Sequence, residues 1–212
     1  MGYRILADIA ALDVQPKAAG RVEIADPHWS GYLANVPAAR WTSSLSERVP
    51  ETLGGAAFLE RYAGTTDEAT VVEPERTYAV RTPTAHAILE SDRIRRFRKL
   101  LEPETSGDTQ ARPLGNLMAE SHTSYGACGL GSEATDRLAA LIAEAGEEAG
   151  LFGAKITGGG RGGTLAVLAR RGAESGIRRV ATLYSERTGR PSRVVRGSSP
   201  GAMSFGTRRL VF

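Results

Sequence analysis

The sequence predicts an α+β fold, a small antiparallel sheet packed on helices, and three observations point to it. The first is a strand, a glycine-rich loop and a second strand over 154–169. The second is a set of three helical stretches, 85–101, 112–126 and 133–148, that precede them. The third is the order that closes the chain: after the hairpin come a helix near 174–188 and extended runs at 193–196 and 207–212. Strand, strand, helix, strand, strand with helices ahead of them is an antiparallel layer with helices on one face.

Taken in order, Ile5, Leu6, Ile9 and Leu12 follow helical spacing over residues 1–13. Gln15 to Gly20 reads as a break. Residues 28–80 read as irregular, with Pro37, Pro50 and Pro74 punctuating short helices around Trp29, Leu33, Leu53 and Phe58. The helix near 85–101 carries Ile94, Phe97 and Leu101 on one face and Arg93, Arg95, Arg96, Arg98 and Lys99 on the other. That basic run is a solvated face, because nucleic-acid binding needs stacking aromatics or a known module and aromatics make up only 6% of the chain. In the next helix Leu114, Leu117, Met118, Ser121 and Tyr125 form a core stripe, and Leu138, Leu141 and Ile142 form another in the third. Ser132, just before Glu133, reads as the N-cap of that third helix.

The loop between the strands, Thr157-Gly158-Gly159-Gly160-Arg161-Gly162-Gly163, is the main candidate site. Gly158, Gly160 and Gly163 fit a dinucleotide fingerprint only mechanically, since that motif requires a helix after the glycines. Thr164 to Ala169 is β-branched and apolar, a strand. A Walker loop is excluded because no Gly-Lys-Ser/Thr follows. Five glycines exceed what a turn needs. They let backbone approach a ligand and aim amides at it. Upstream, His122 is flanked by Ser121, Ser124 and Tyr125 in a polar cluster, and reads either as a satisfied histidine or as a cleft residue. Gly197 to Gly201, with Ser198 and Ser199, mixes backbone freedom with hydroxyls.

Bulk properties exclude several classes. With 27 basic and 24 acidic residues in 212, a net charge of +3 is too mild to imply nucleic acid or a membrane surface as partner. Cys128 stands alone, so no internal disulfide can form and a reducing, cytoplasmic setting is expected. No apolar run approaches the roughly 20 residues that span a bilayer. No metal site is expected.

The glycine hairpin resembles the third signature of the GHMP sugar and metabolite kinases. Further segments resemble the arabinokinase branch of that family: Phe58 to Tyr62, Val72 to Val80, Ser121 to Ser132 and Gly197 to Ala202. The resemblance implies the family's C-terminal lobe, with a ferredoxin-like antiparallel sheet, over 81–212, and a linking segment over 1–80. It implies ATP and Mg²⁺ as cofactors and a monosaccharide of the L-arabinose or galactose type as phosphoryl acceptor at its anomeric hydroxyl. It places Thr157 to Gly163 at the reaction cleft. It makes Ser121, His122, Ser124, Ser198 and Ser199 possible walls, with His122 shaping the cleft rather than moving a proton. The family's nucleotide loop has no counterpart here, since Gly129-Leu130-Gly131-Ser132 lacks the second serine and the preceding proline. The acidic residue of the family also has none, so no catalytic residue is expected in this chain. A missing N-terminal lobe, in cis or in trans, is the expected partner, and the chain alone is expected to be inactive. The alternative is a non-catalytic binding or regulatory module.

Overall fold

The computed structural model describes residues 1–18, 20–102, 107–197, 204 and 206. Ser198, Ser199 and the expected strand at 207–212 lie outside the described residues.

The chain begins with α1 (Gly2–Ile9), then an antiparallel pair, β1 (Asp13–Lys17) and β2 (Arg21–Ala25). The expected break at residues 15–20 is therefore corrected. Pro16 sits within β1 opposite Val22, which a strand with a free edge tolerates because proline lacks only the outward-facing N–H. Short helical turns follow over Leu33–Arg48, among them α2 (Ala38–Arg40). Next come β3 (Thr52–Gly54), α3 (Gly55–Tyr62) and β4 (Thr77–Ala79), with β3 antiparallel to β4.

This first part folds around large side chains. Trp29, Trp41, Phe58, Ile5, Leu6, Val36 and Val49 are all at most 3% exposed and share one cluster. Each such burial contributes roughly 1.5–3 kcal/mol. Val80 and Ile88 belong to the same cluster, so it extends past residue 80 into the next helix.

That helix is α4 (Arg81–Leu101), joined by α5 (Asp108–Ala127) and α6 (Glu133–Ala145). Helix α5 starts one turn before the expected residue 112 and passes through Pro113 near its N-terminus, where only one helical bond is forfeited. Ser132 caps α6 as expected: its hydroxyl accepts the Thr135 N–H, and the Thr135 hydroxyl accepts the Ser132 N–H in return. Strands β5 (Leu151–Ile156) and β6 (Leu165–Ala169) form the hairpin, followed by α7 (Glu174–Thr188). Leu141, Ile142, Leu151, Ala154, Val180 and Tyr184 make a second, smaller core. The architecture is α+β, as the sequence implied.

One strand expectation fails. Residues 193–196 pair with nothing among the described residues, and Val195 is 80% exposed. None of residues 193–196 is buried, so no core face fixes a pairing register. Arg196 instead pairs with Glu174 at 2.5 Å.

Candidate functional site

Helix α5 places the hairpin. Gly115 and Gly153 face each other so closely that a Cβ on either would overlap the other element's backbone. Two charge pairs fix the far end: Arg112 to Glu147, at 2.5 and 2.7 Å, and Arg170 to Asp108, at 3.0 and 2.5 Å. They are exposed, so they orient more than they stabilise.

Near the glycine loop the contacts are polar. Thr157 N–H donates to Thr164 O at 3.1 Å, which makes that pair a hydrogen-bonded one in the antiparallel ladder. The neighbouring Ile156 N–H therefore points away from β6, and it donates to His122 Nδ1 at 3.2 Å. An accepting Nδ1 leaves the proton on Nε2, which lies 3.1 Å from Asp136 Oδ1. His122, with its side chain 11% exposed, thus ties β5, α5 and α6 together. Both ring nitrogens are engaged, which suits shaping rather than proton transfer.

Ser121 and Ser124 face the other way, toward α4. Ser121 is 3% exposed and donates to Glu90 Oε1 at 2.5 Å. The same carboxylate receives Lys155 Nζ at 3.1 Å and Arg93 at 2.8 Å. Burial pushes the Glu90 carboxyl up, but the hydrogen bonds from Ser121, Arg93 and Lys155 outweigh it and hold the group below the usual carboxylate range. Ser124 Oγ is 2.9 Å from His86 Nδ1, and burial holds the His86 imidazole below its ordinary value. The three expected wall residues of α5 therefore do not converge: His122 lies on one flank, Ser121 and Ser124 on the other, and all three have internal partners.

The loop itself is different. Gly158 and Gly160 have φ of +78° and +88°, and the non-glycine Arg161 has +52°. A Cβ on Gly160 would stand 2.8 Å from Leu130 O and 2.9 Å from Leu130 Cβ. The close approach at Gly160 is therefore to the α5–α6 turn, with Tyr125 Cε1 3.2 Å from the same point. Arg161 neither extends freely nor stays unattached. Its N–H donates to Leu130 O at 2.7 Å, and its Nε reaches Gly129 O at 3.4 Å. The Tyr125 hydroxyl donates to Gly158 O at 3.0 Å. Among the described residues, the N–H groups of Gly158, Gly159, Gly160, Gly162 and Gly163 have no hydrogen-bond acceptor in the chain. Gly158, Gly159, Gly162 and Gly163 are exposed. A seated loop with a rim of open donors is suited to an anion or polyol.

Sequence reasoning placed Tyr125 in a polar cluster but missed its bond to Gly158, and it gave no role to Glu90 or Lys155. No local pattern marks pairs separated by 33 to 65 positions. No group of three or more His, Cys, Asp or Glu able to hold a metal occurs among the described residues. No helix among them is long and apolar enough to cross a membrane.

Residues 94–186 match the family model described as GHMP kinases C terminal. The chain is 39% identical over 187 residues to L-arabinokinase of Arabidopsis thaliana, covering 84% of this chain and 18% of that protein. It therefore spans less than a fifth of that relative's length. A solved structure of Lactococcus lactis galactokinase complexed with galactose is 26% identical, with a TM-score of 0.43, over 52% of this chain and 27% of that one.

Proposed function

We propose that the chain, whose residues 94–186 match the GHMP kinase C-terminal family model, is the C-terminal part of an ATP-dependent sugar kinase. Residues 81–212 act as the C-terminal lobe, and residues 1–80 link it to an N-terminal lobe that carries the nucleotide loop. The acceptor is a monosaccharide of the L-arabinose or galactose type, in keeping with the 39% identity to L-arabinokinase. The bond from the γ-phosphorus to the bridging oxygen of ADP breaks, and one from phosphorus to the anomeric oxygen forms. The hydroxyl proton passes to a base outside these residues. We place the enzyme in the cytoplasm, consistent with the single cysteine.

The observation that carries this reading is the set of open amides at Gly158, Gly159, Gly160, Gly162 and Gly163, on a loop held against α5 and the α5–α6 turn. Phosphoryl transfer is mostly positioning and charge stabilisation, and unpaired amides on a fixed loop offer both. His122 holds the entry strand, and Arg161 and Tyr125 hold the loop. Among the described residues no group of three or more His, Cys, Asp or Glu is placed to hold a metal ion. No step is therefore routed through a metal at these residues.

The test is ATP-dependent formation of sugar 1-phosphate from L-arabinose or D-galactose. The 212-residue chain alone is expected to show none, and the same chain joined behind an arabinokinase N-terminal lobe is expected to turn over. A joined protein that folds but stays inactive would leave a non-catalytic binding or regulatory module as the better reading.

A further inference from the structure

We propose that Tyr125 is a positioning residue whose hydroxyl sets the direction of the Gly158–Gly159 peptide, so that the Gly159 amide faces the ligand. The inference rests on the reading of residues 158–163 as the phosphate-facing rim. Tyr125 lies in the last turn of α5, three residues beyond His122. Its hydroxyl donates to Gly158 O at 3.0 Å. A trans peptide is planar, with its C=O and the following N–H pointing in opposite directions. Holding the Gly158 carbonyl inward therefore turns the Gly159 N–H outward. Gly159 is exposed and makes no hydrogen bond among the described residues. Glycine flanks both sides of this peptide, so the backbone itself imposes little preference on its direction.

The tyrosine is itself held in place. The His86 ring meets it edge-on with centroids 5.5 Å apart, and His86 Nδ1 is 2.9 Å from Ser124 Oγ on the same helix. Tyr125 Cε1 lies 3.2 Å from the point a Cβ on Gly160 would occupy, so the ring also lies against the loop. The bond from Arg161 N–H to Leu130 O fixes the Gly160–Arg161 peptide in the opposite sense, with the Gly160 carbonyl outward. The rim thus presents a donor at Gly159 and an acceptor at Gly160. That alternation fits a phosphate oxygen beside a hydroxyl group.

Tyr125→Phe keeps the ring and removes only the hydroxyl. In the 212-residue chain, labelled with ¹³C and ¹⁵N, the Gly158 carbonyl and Gly159 amide resonances are expected to shift. Trypsin cleavage after Arg161 is expected to quicken about 5-fold, the scale of one lost hydrogen bond. Unchanged resonances and an unchanged cleavage rate would overturn the proposal. In the joined kinase the variant is expected to lose about 10-fold in kcat with KM for the sugar unchanged. A loosened loop with unaltered kcat would also overturn it, because the tyrosine would then serve stability alone. An inactive joined kinase would count against the functional reading, while the resonance and cleavage comparison still decides the peptide's direction. Tyr125→Leu, which removes the ring as well, should exceed Tyr125→Phe in every measurement; equal effects would assign the role to packing and refute the hydroxyl.

Discussion

Among the described residues, two hairpins of similar strand length are closed in opposite ways. Strands β1 and β2 are joined by residues 18–20, and the hairpin is docked by backbone bonds to Thr65 and by the Arg21 guanidinium, which donates to Glu68 O at 3.1 Å. Thr65 N–H donates to Gly20 O at 3.2 Å, and Val22 N–H donates to Thr65 O at 2.9 Å. Strands β5 and β6 are joined by residues 157–164, with five glycines between them and most of their amides open to water. Each glycine raises the entropy lost on folding. Strand connection alone needs far fewer residues, as the first hairpin demonstrates. The proposed ligand-facing role accounts for the excess in the second.

The largest test of that contrast is Gly160→Val in the joined kinase. A valine would occupy φ of +88° and press on Leu130 and the Tyr125 ring. Turnover at saturating substrates is expected to fall by about 10²-fold or more, the scale of misplaced catalytic geometry. Arg161→Ala, which removes only a long Nε contact at 3.4 Å, is expected to stay within about 3-fold. A folded Gly160→Val enzyme with normal turnover would erase the distinction between the hairpins.

The matching change in the first hairpin's mooring is Gly64→Ala. Gly64 has φ of +142°, and a Cβ there would overlap the Gly20 carbonyl. Positive-φ strain and overpacking together should cost roughly 3 kcal/mol, read from denaturant unfolding. Catalytic constants of the folded fraction should be unchanged. A loss of kcat as large as that of Gly160→Val would show that both loops serve the reaction.

What was legible follows the same divide. Periodicity marked α5 and α6, because each carries an apolar stripe long enough to repeat. Helix α4 was also expected, but Ile94 and Leu101 of its expected apolar face are 61% and 56% exposed while the Arg93 side chain is only 14% exposed. The strand–loop–strand pattern marked β5 and β6, and Ser132 announced its own cap. The hairpin of β1 and β2 was not legible, because Pro16 and Gly20 read as breakers and only the mooring to Thr65 turns them into a strand end and a turn. Residues 193–196 carry the β-branched pair Val194-Val195, yet pairing requires a neighbour that local sequence does not encode. Within the site, the glycines stood out while the atoms that seat them did not. His122 to Ile156 and Tyr125 to Gly158 are contacts between distant segments, and a histidine or tyrosine looks the same in sequence whether it holds a loop or fills a core.

His122→Ala tests the seat at its base. The Ile156 N–H would lose its acceptor in a strand whose residue is 3% exposed. The expected cost is about 2 kcal/mol in unfolding free energy, within the range for an unsatisfied buried donor. The comparison also predicts faster hydrogen exchange at Ile156 with little change at Val22, whose N–H is bonded to Thr65. Equal exchange at Ile156 in both proteins would mean that water or a neighbouring group replaces the imidazole without loss.

The smallest effect concerns a place where the first region meets its own need for an anion. Asp26, just beyond β2, accepts the N–H groups of His28 and Trp29 at 2.9 and 2.8 Å through Oδ1, and Gly31 N–H at 3.0 Å through Oδ2. Tyr3 OH adds a fourth bond at 2.6 Å. Burial pushes the carboxyl up, but these hydrogen bonds outweigh it and bring the pKa from 3.8 to about 2. A folded-state value below the unfolded one means that the carboxylate stabilises the fold above about pH 4. That contribution fades as pH falls through 2. Asp26→Asn is expected to cost about 1 kcal/mol at neutral pH, reduced by solvent screening. The gap from wild type should narrow between pH 4 and 2. A gap independent of pH would show that shape rather than charge fills the turn. The residues after β2 gather their amides around a carboxylate the chain supplies, whereas the N–H groups of Gly158, Gly159, Gly160, Gly162 and Gly163 have no acceptor among the described residues. That difference is the physical ground for expecting their anion to come from a ligand.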